Sequence, residues 1–110
     1  MSKQVLALLR GGSVLASFDL QAGQNLFGRG AVQFQEGNFV DLEEYDLDLK
    51  VSQKHALVSC LDSSTEIEDC GSLNGTFLNR TEQLEPGVKY QLQSGDKVLI
   101  GKLLFEYQVV

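Results

Sequence analysis

His55, the only histidine of the chain, stands three residues after Ser52, and Asp69 follows further on. A serine, a histidine and a carboxylate are the parts of a nucleophile, its base and the group that orients the base. Yet no glycine elbow surrounds Ser52 in Lys50-Val51-Ser52-Gln53-Lys54, and no oxyanion hole can be named. The plainer alternative is that His55 caps a turn, its imidazole bonded to backbone near Ser52. A second chemistry is anion binding. Arg29 can present a planar two-pronged fork, Ser52 a hydroxyl, and Asn74 both a donor and an acceptor. Metal chemistry is poorly served: Cys60, Cys70 and His55 supply too few ligands for zinc at these spacings.

Composition narrows the choice. The chain has 110 residues, 43% of them apolar and 22% charged, which predicts one folded domain over residues 1–110. The formal charge of −6 and the acidic run Asp41 to Asp48 oppose a nucleic-acid backbone, and no basic run offsets them. The longest strongly apolar run, Val5 to Leu9, is far too short to span a bilayer and has no cleavage-like sequel. Two cysteines without other signs of secretion predict reduced thiols in a cytosolic or nuclear setting.

Short strands must therefore position the polar residues. Val5 to Leu9 ends at Arg10-Gly11-Gly12, and Val14 to Leu20 ends at Ala22-Gly23. Leu26-Phe27 runs into Gly28-Arg29-Gly30, and Asp46-Leu47-Asp48-Leu49 alternates with period two. Further strands are predicted over residues 55–61, 66–70, 76–78, 89–92, 97–100 and 103–109, separated by Gly, Asp, Asn and Ser turns. About ten short strands at this spacing predict an antiparallel β-sandwich. Ala31 to Tyr45 breaks the rhythm and is expected to be a long loop, with a short extra strand near Phe39-Val40.

Taken in order, four segments carry a resemblance. They are Gly28-Arg29, then Ser52-Gln53-Lys54-His55-Ala56, then Asp69 to Thr76 (DCGSLNGT), then Leu92 to Gly101 (LQSGDKVLIG). The series resembles the forkhead-associated (FHA) domain over nearly the whole chain, Leu26 to Val109. The resemblance implies an all-β sandwich of about eleven strands, related to the SMAD sandwich, that binds phosphothreonine peptides through loops at one end. It implies no enzyme activity and no cofactor.

Residue by residue, the resemblance makes Arg29 the phosphate-gripping arginine, beside Gly28. Ser52 contacts phosphate, Gln53 offers its amide or side chain, and the backbone of Leu73 can assist. Asn74 holds the backbone of the bound peptide. His55, Gly75 and Thr76 brace the site, and positive φ at Gly75 would aim Asn74 outward. Lys50 falls in the region that reads peptide side chains beyond the phosphothreonine, where it would favour acidic or polar ones. Asp69, Gly95 and Asp96 read as structural, and Lys54 is assigned neither way. Two positions depart from the family pattern. Gln53 replaces a frequent arginine, and Leu73 replaces a frequent hydroxyl-bearing residue. Val51 and Leu73 are expected near a recess for the threonine methyl.

Ser52-x-Lys54-His55-Ala56, DCGSLNGT and Leu84-x-Pro86-Gly87-Val88 look most like FHA domains of DNA-damage-checkpoint mediators. That likeness implies a nuclear scaffold whose partners are phosphothreonine-bearing damage-response proteins. The alternatives are an FHA domain of another signalling or transcription protein, and a sandwich that dimerises without phosphate. Thr65, Thr76 and Thr81 are the only threonines, so a homodimer would not use an amino-terminal phosphothreonine. It is expected to use a face or edge of the first strand (Val5 to Leu9) or the last (Leu103 to Val110).

Overall fold

The computed structural model describes residues 3–30 and 32–110. Eleven strands form two sheets. In chain order they are β1 (Gln4–Arg10), β2 (Ser13–Asp19), β3 (Gly23–Gly28), β4 (Gly37–Asp41), β5 (Lys54–Cys60) and β6 (Thr65–Asp69). There follow β7 (Thr76–Leu78), β8 (Glu82–Gln83), β9 (Tyr90–Leu92), β10 (Lys97–Ile100) and β11 (Leu103–Val109). One sheet has the order β2-β1-β11-β10-β7-β8, the other β4-β3-β5-β6-β9.

Alternation along each strand builds the core between the sheets. Leu6, Leu8, Val98, Ile100 and Phe105 from the first sheet meet Phe27, Ala56, Val58 and Ile67 from the second. Phe18 stands edge-on to Phe27, Phe105 and Tyr45, with ring centres 5.8–6.4 Å apart. This is the favoured geometry for aromatic pairs.

Three expectations are corrected. The sandwich is not wholly antiparallel, because β4 runs parallel to β3, with Gln24 opposite Gly37 and Gly28 opposite Asp41. The chain leaves the top of β3 at Gly28 and returns to the level of Gln24 before pairing. That return covers four residues of strand, about 13 Å, which the intervening loop spans easily. The extra strand near Phe39-Val40 is present as β4, whereas Ala31, the first residue of the expected loop, lies outside the described residues.

Secondly, Asp46 to Leu49 is no strand. Its period-two pattern is that of a turn wound round a buried carboxylate, with Leu47 75% exposed and Leu49 at φ 56°. Thirdly, β1 and β11 are inner strands, each paired on both sides. Neither offers a free edge. The edges are β2 and β8 in one sheet and β4 and β9 in the other.

Candidate functional site

Three loops meet at one end of the sandwich: the one after β3, the one before β5 and the one between β6 and β7. Gly28 shows why they meet so closely. A Cβ at this position would stand 1.8 Å from the Gln53 carbonyl oxygen, so only glycine lets the end of β3 cross there. The Arg29 N–H then donates to the same carbonyl at 3.2 Å.

Arg29 is held by its inner nitrogen. Its Nε donates to the Val51 carbonyl at 2.9 Å and lies 3.5 Å from Asp46 Oδ2. Among the described residues, neither terminal nitrogen has an acceptor, so the outer edge of the fork faces solvent. Asp46 is the residue that sequence reasoning missed. Its buried carboxylate accepts the N–H groups of Lys50 (2.9 Å) and Val51 (3.0 Å) while it faces Arg29. It thus fixes both the guanidinium and the segment leading to Ser52. The available signal was an acid four residues before Lys50, a spacing that suits side-chain capping of backbone amides.

Ser52 and His55 come together, but not as nucleophile and base. The backbone N–H of Ser52 donates to His55 Nδ1 at 2.9 Å. Nε2 must then carry the proton, and it donates to the Gly75 carbonyl at 2.8 Å. Both ring nitrogens are spent on backbone, and the ring is fully buried. His55 therefore straps the Ser52 turn to the Asn74 loop. The Ser52 hydroxyl accepts the Leu73 N–H at 3.0 Å, which leaves its own proton for a ligand. This corrects one expectation: the Leu73 amide is already engaged, and it reaches an anion only through Ser52.

Burial pushes the pKa of His55 below its ordinary 6.5, against the Gly75 carbonyl bond and the charges of Asp69 and Asp46, which raise it. The unfolded chain takes up a proton near pH 6.5, whereas the folded chain resists until lower pH. Stability is thus full above that pH and lost as pH falls through it. Thermal melts from pH 7.5 to 5 should show Tm declining in the wild type and a flatter profile in His55→Gln. Parallel profiles would remove His55 from the acid response.

The Asn74 loop is tied round Asp69. One carboxylate oxygen accepts the N–H groups of Gly71 and Ser72, both at 3.0 Å. The other accepts the hydroxyls of Ser72 (2.6 Å) and Thr76 (2.7 Å). Ser72 Oγ in turn accepts the Gly75 N–H at 2.9 Å. Burial would raise the Asp69 pKa, but the Ser72 and Thr76 hydroxyls and the Ser72 and Gly71 amides outweigh it and hold it below the ordinary range. Asp69 is thus a loop organiser, and Thr76 is wholly internal.

Gly75 has φ 88°, and exposed Asn74 donates from Nδ2 to the Lys50 carbonyl at 3.0 Å. This closes the rim between two loops, and among the described residues Asn74 Oδ1 has no hydrogen-bond partner. Gln53 and Lys54 are exposed, and Lys50 is half-buried. Gly95-Asp96 forms a turn far from this rim, with Asp96 accepting the Gln93 N–H. Of the two residues expected beside a methyl recess, Leu73 is 89% exposed and Val51 is buried in the core. Cys60 is buried and Cys70 exposed, both as free thiols.

The arrangement is a cradle of three polar groups: the Arg29 fork anchored on Val51, the Ser52 hydroxyl that accepts the Leu73 N–H, and Asn74 tied to the Lys50 carbonyl. Such a set suits a compact dianion with several acceptor oxygens.

Comparison with known proteins identifies the family. The oxoglutarate dehydrogenase inhibitor of Corynebacterium diphtheriae is 49% identical over 55 residues, covering 50% of this chain and 36% of that protein. The mediator of DNA damage checkpoint protein 1 of Homo sapiens is 38% identical over 60 residues, covering 52% of this chain and 3% of that protein. The chain thus spans about a third or less of these relatives. Among solved structures, the FHA domain of the CT664 protein from Chlamydia trachomatis superposes with a TM-score of 0.75 at 26% identity, over 96% of both chains. An FHA domain studied for phosphothreonine-dependent interactions gives 0.71 at 26% identity, over 96% of this chain and 95% of that one. The FHA domain family model matches residues 25–101, a span that contains every residue of the cradle, and the chain belongs to that family.

Proposed function

We propose that this domain binds phosphothreonine peptides at the cradle built by Arg29, Ser52 and Asn74, as a reader and not a catalyst. The carrying observation is the Arg29 guanidinium, anchored through Nε on Val51 and Asp46 with its terminal nitrogens facing outward beside the Ser52 hydroxyl. A ligand meets a fork already oriented, so less conformational freedom is lost on binding. Asn74 stands at the rim to pair with the peptide backbone, and Lys50 and Lys54 favour acidic flanking side chains. In support, one similar solved domain is described by its phosphothreonine-dependent interactions.

The reading stops at a signalling FHA domain. The corynebacterial inhibitor matches at 49% over 55 residues and the human mediator at 38% over 60, so similarity does not favour a damage-response scaffold or a nuclear setting.

Calorimetry with phosphothreonine, phosphoserine and threonine versions of one peptide tests the proposal. Phosphothreonine should bind at least about tenfold more tightly than phosphoserine, the worth of one well-contacted methyl, and plain threonine should not bind measurably. Equal affinity for the threonine and phosphothreonine peptides would overturn it.

A further inference from the structure

Phe77 links the cradle to the outer face of the six-stranded sheet. A Cβ placed on Gly75, next to Asn74, would stand 3.2 Å from Phe77 Cε1 and 2.9 Å from Gln83 Nε2. From Phe77 the register runs across the sheet, with one bulge, in β2, between the partners of Leu8 and Leu9. Phe77 pairs with Leu99, Leu99 with Leu104, Leu104 with Leu9, and Leu9 with Val14. Residues directly opposite on neighbouring strands share a face, so five apolar side chains from five strands form one row. The row faces away from the core, because its chain neighbours Leu78, Ile100, Phe105 and Leu8 are the ones that face inward. Val14 is 55% exposed and the other four are half-buried. Phe77, Leu99, Leu104 and Arg80 line a recess of about 370 Å³ at the end nearest Asn74.

Arg80 is the second observation. It has φ 69° in the β7–β8 turn, directly after Asn79 at φ 53°. Glycine adopts this conformation freely and a side chain does not. The turn nevertheless carries a cation at the mouth of the recess.

Charge is the third. In a chain of net charge −6, Arg10 follows Leu9 near one end of the row, Lys102 lies in the β10–β11 turn, and Arg80 stands at the other end. Among the described residues none of these three has an ion-pair partner. The one cation of the adjoining row, Lys97, is already paired with Glu106 at 3.3 Å. An apolar row rimmed by unpaired cations is complementary to an apolar and acidic segment. A second copy fits it worse, since a two-fold axis through the middle of the row would bring the Arg80 end of one copy over the Arg10 end of the other.

We infer that this row continues the peptide site. It receives a flanking segment of the phosphorylated partner, with an apolar side chain in the recess and a carboxylate on Arg80. The inference rests on the phosphothreonine reading and extends it to the partner's sequence.

The test uses a phosphothreonine peptide with Ala and Gln flanks, and the same peptide extended by Leu-Glu-Leu-Glu on its amino or its carboxyl side. One extension should tighten binding to the intact domain at least tenfold. Arg80→Glu and Leu99→Asp should abolish that gain and leave affinity for the unextended peptide unchanged. Arg80→Gly, which relieves the turn, should melt no lower than wild type and still lose most of the gain. Three results would overturn the inference. No gain from either extension, with binding still dependent on phosphate and on Arg29, removes the row and spares the cradle. Loss of phosphate dependence itself removes both. A dimer by light scattering that Leu99→Asp dissolves assigns the row to a second copy.

Discussion

Arg29→Ala lowers affinity for a phosphothreonine peptide by about thirty-fold or more and leaves the domain folded. Removing one partner of a charge-assisted pair typically costs about 2–5 kcal/mol, and each 1.4 kcal/mol is about tenfold in affinity. The large effect follows from how the guanidinium is held. Its Nε is committed to Val51 and faces Asp46, so phosphate would meet the two terminal nitrogens in a fixed plane. The fold tolerates the loss because Asp46 keeps its bonds from the Lys50 and Val51 amides, and the Arg29 side chain lies a third exposed. Arg29→Lys should recover little, since an ammonium cannot hold Val51 and a phosphate edge at the same time. Calorimetry reads the affinity and a thermal melt checks the fold. Wild-type affinity in a folded Arg29→Ala protein would exclude Arg29 from the site.

How much of this was legible in the sequence depended on what each residue answers to. The strand rhythm was, because side-chain alternation and glycine turns are local rules. Most predicted strands match observed ones within a residue or two at each end, as at Val5 to Leu9 within β1 and Leu103–Val109 as β11. The cradle residues were legible as an ordered set, since Arg29, Ser52, His55 and Asn74 each stand at a strand end or turn. Their hydrogen bonds were only partly so. A histidine three residues after a serine can serve as base or brace, and the brace is identified only once Gly75, from another loop, takes Nε2.

Asp46 was hidden by its own pattern. Asp46-Leu47-Asp48-Leu49 has a strand's alternation, but three of its residues face solvent and the buried one is the first acid. A carboxylate with two backbone amides to accept overrides a weak periodicity. The parallel β4 was hidden as well, because strand direction depends on where a loop returns, and composition does not carry that. The outer row of Val14, Leu9, Leu104, Leu99 and Phe77 could not be read at all from sequence, because it exists only when five strands fall into one register.

Asp69→Asn should destabilise the domain more than any change at the cradle surface, by about 3 kcal/mol, which lowers Tm by roughly 10 °C or more. The carboxylate is buried and accepts four hydrogen bonds, at 2.6 to 3.0 Å, from Gly71, Ser72 and Thr76. Bonds to a charged group contribute about 1.5–3 kcal/mol each, and an amide turned into the same space sets its own donors against some of these partners. Asp69 makes more bonds to the loop that carries Leu73 and Asn74 than His55, Ser52 or Lys50 does, so peptide affinity should fall too, even where the variant is folded. The pH dependence separates a charge effect from a packing effect. Asp69 has a folded pKa below its ordinary 3.8. Its stabilisation is therefore complete above that pH and is lost as pH falls through the lowered value. The wild-type advantage over Asp69→Asn should stay constant from pH 7 to about pH 5 and shrink only below about pH 4. An advantage that disappears near pH 6 would place the effect on His55, and one that persists unchanged at pH 2.5 would mean that shape, not charge, organises the loop.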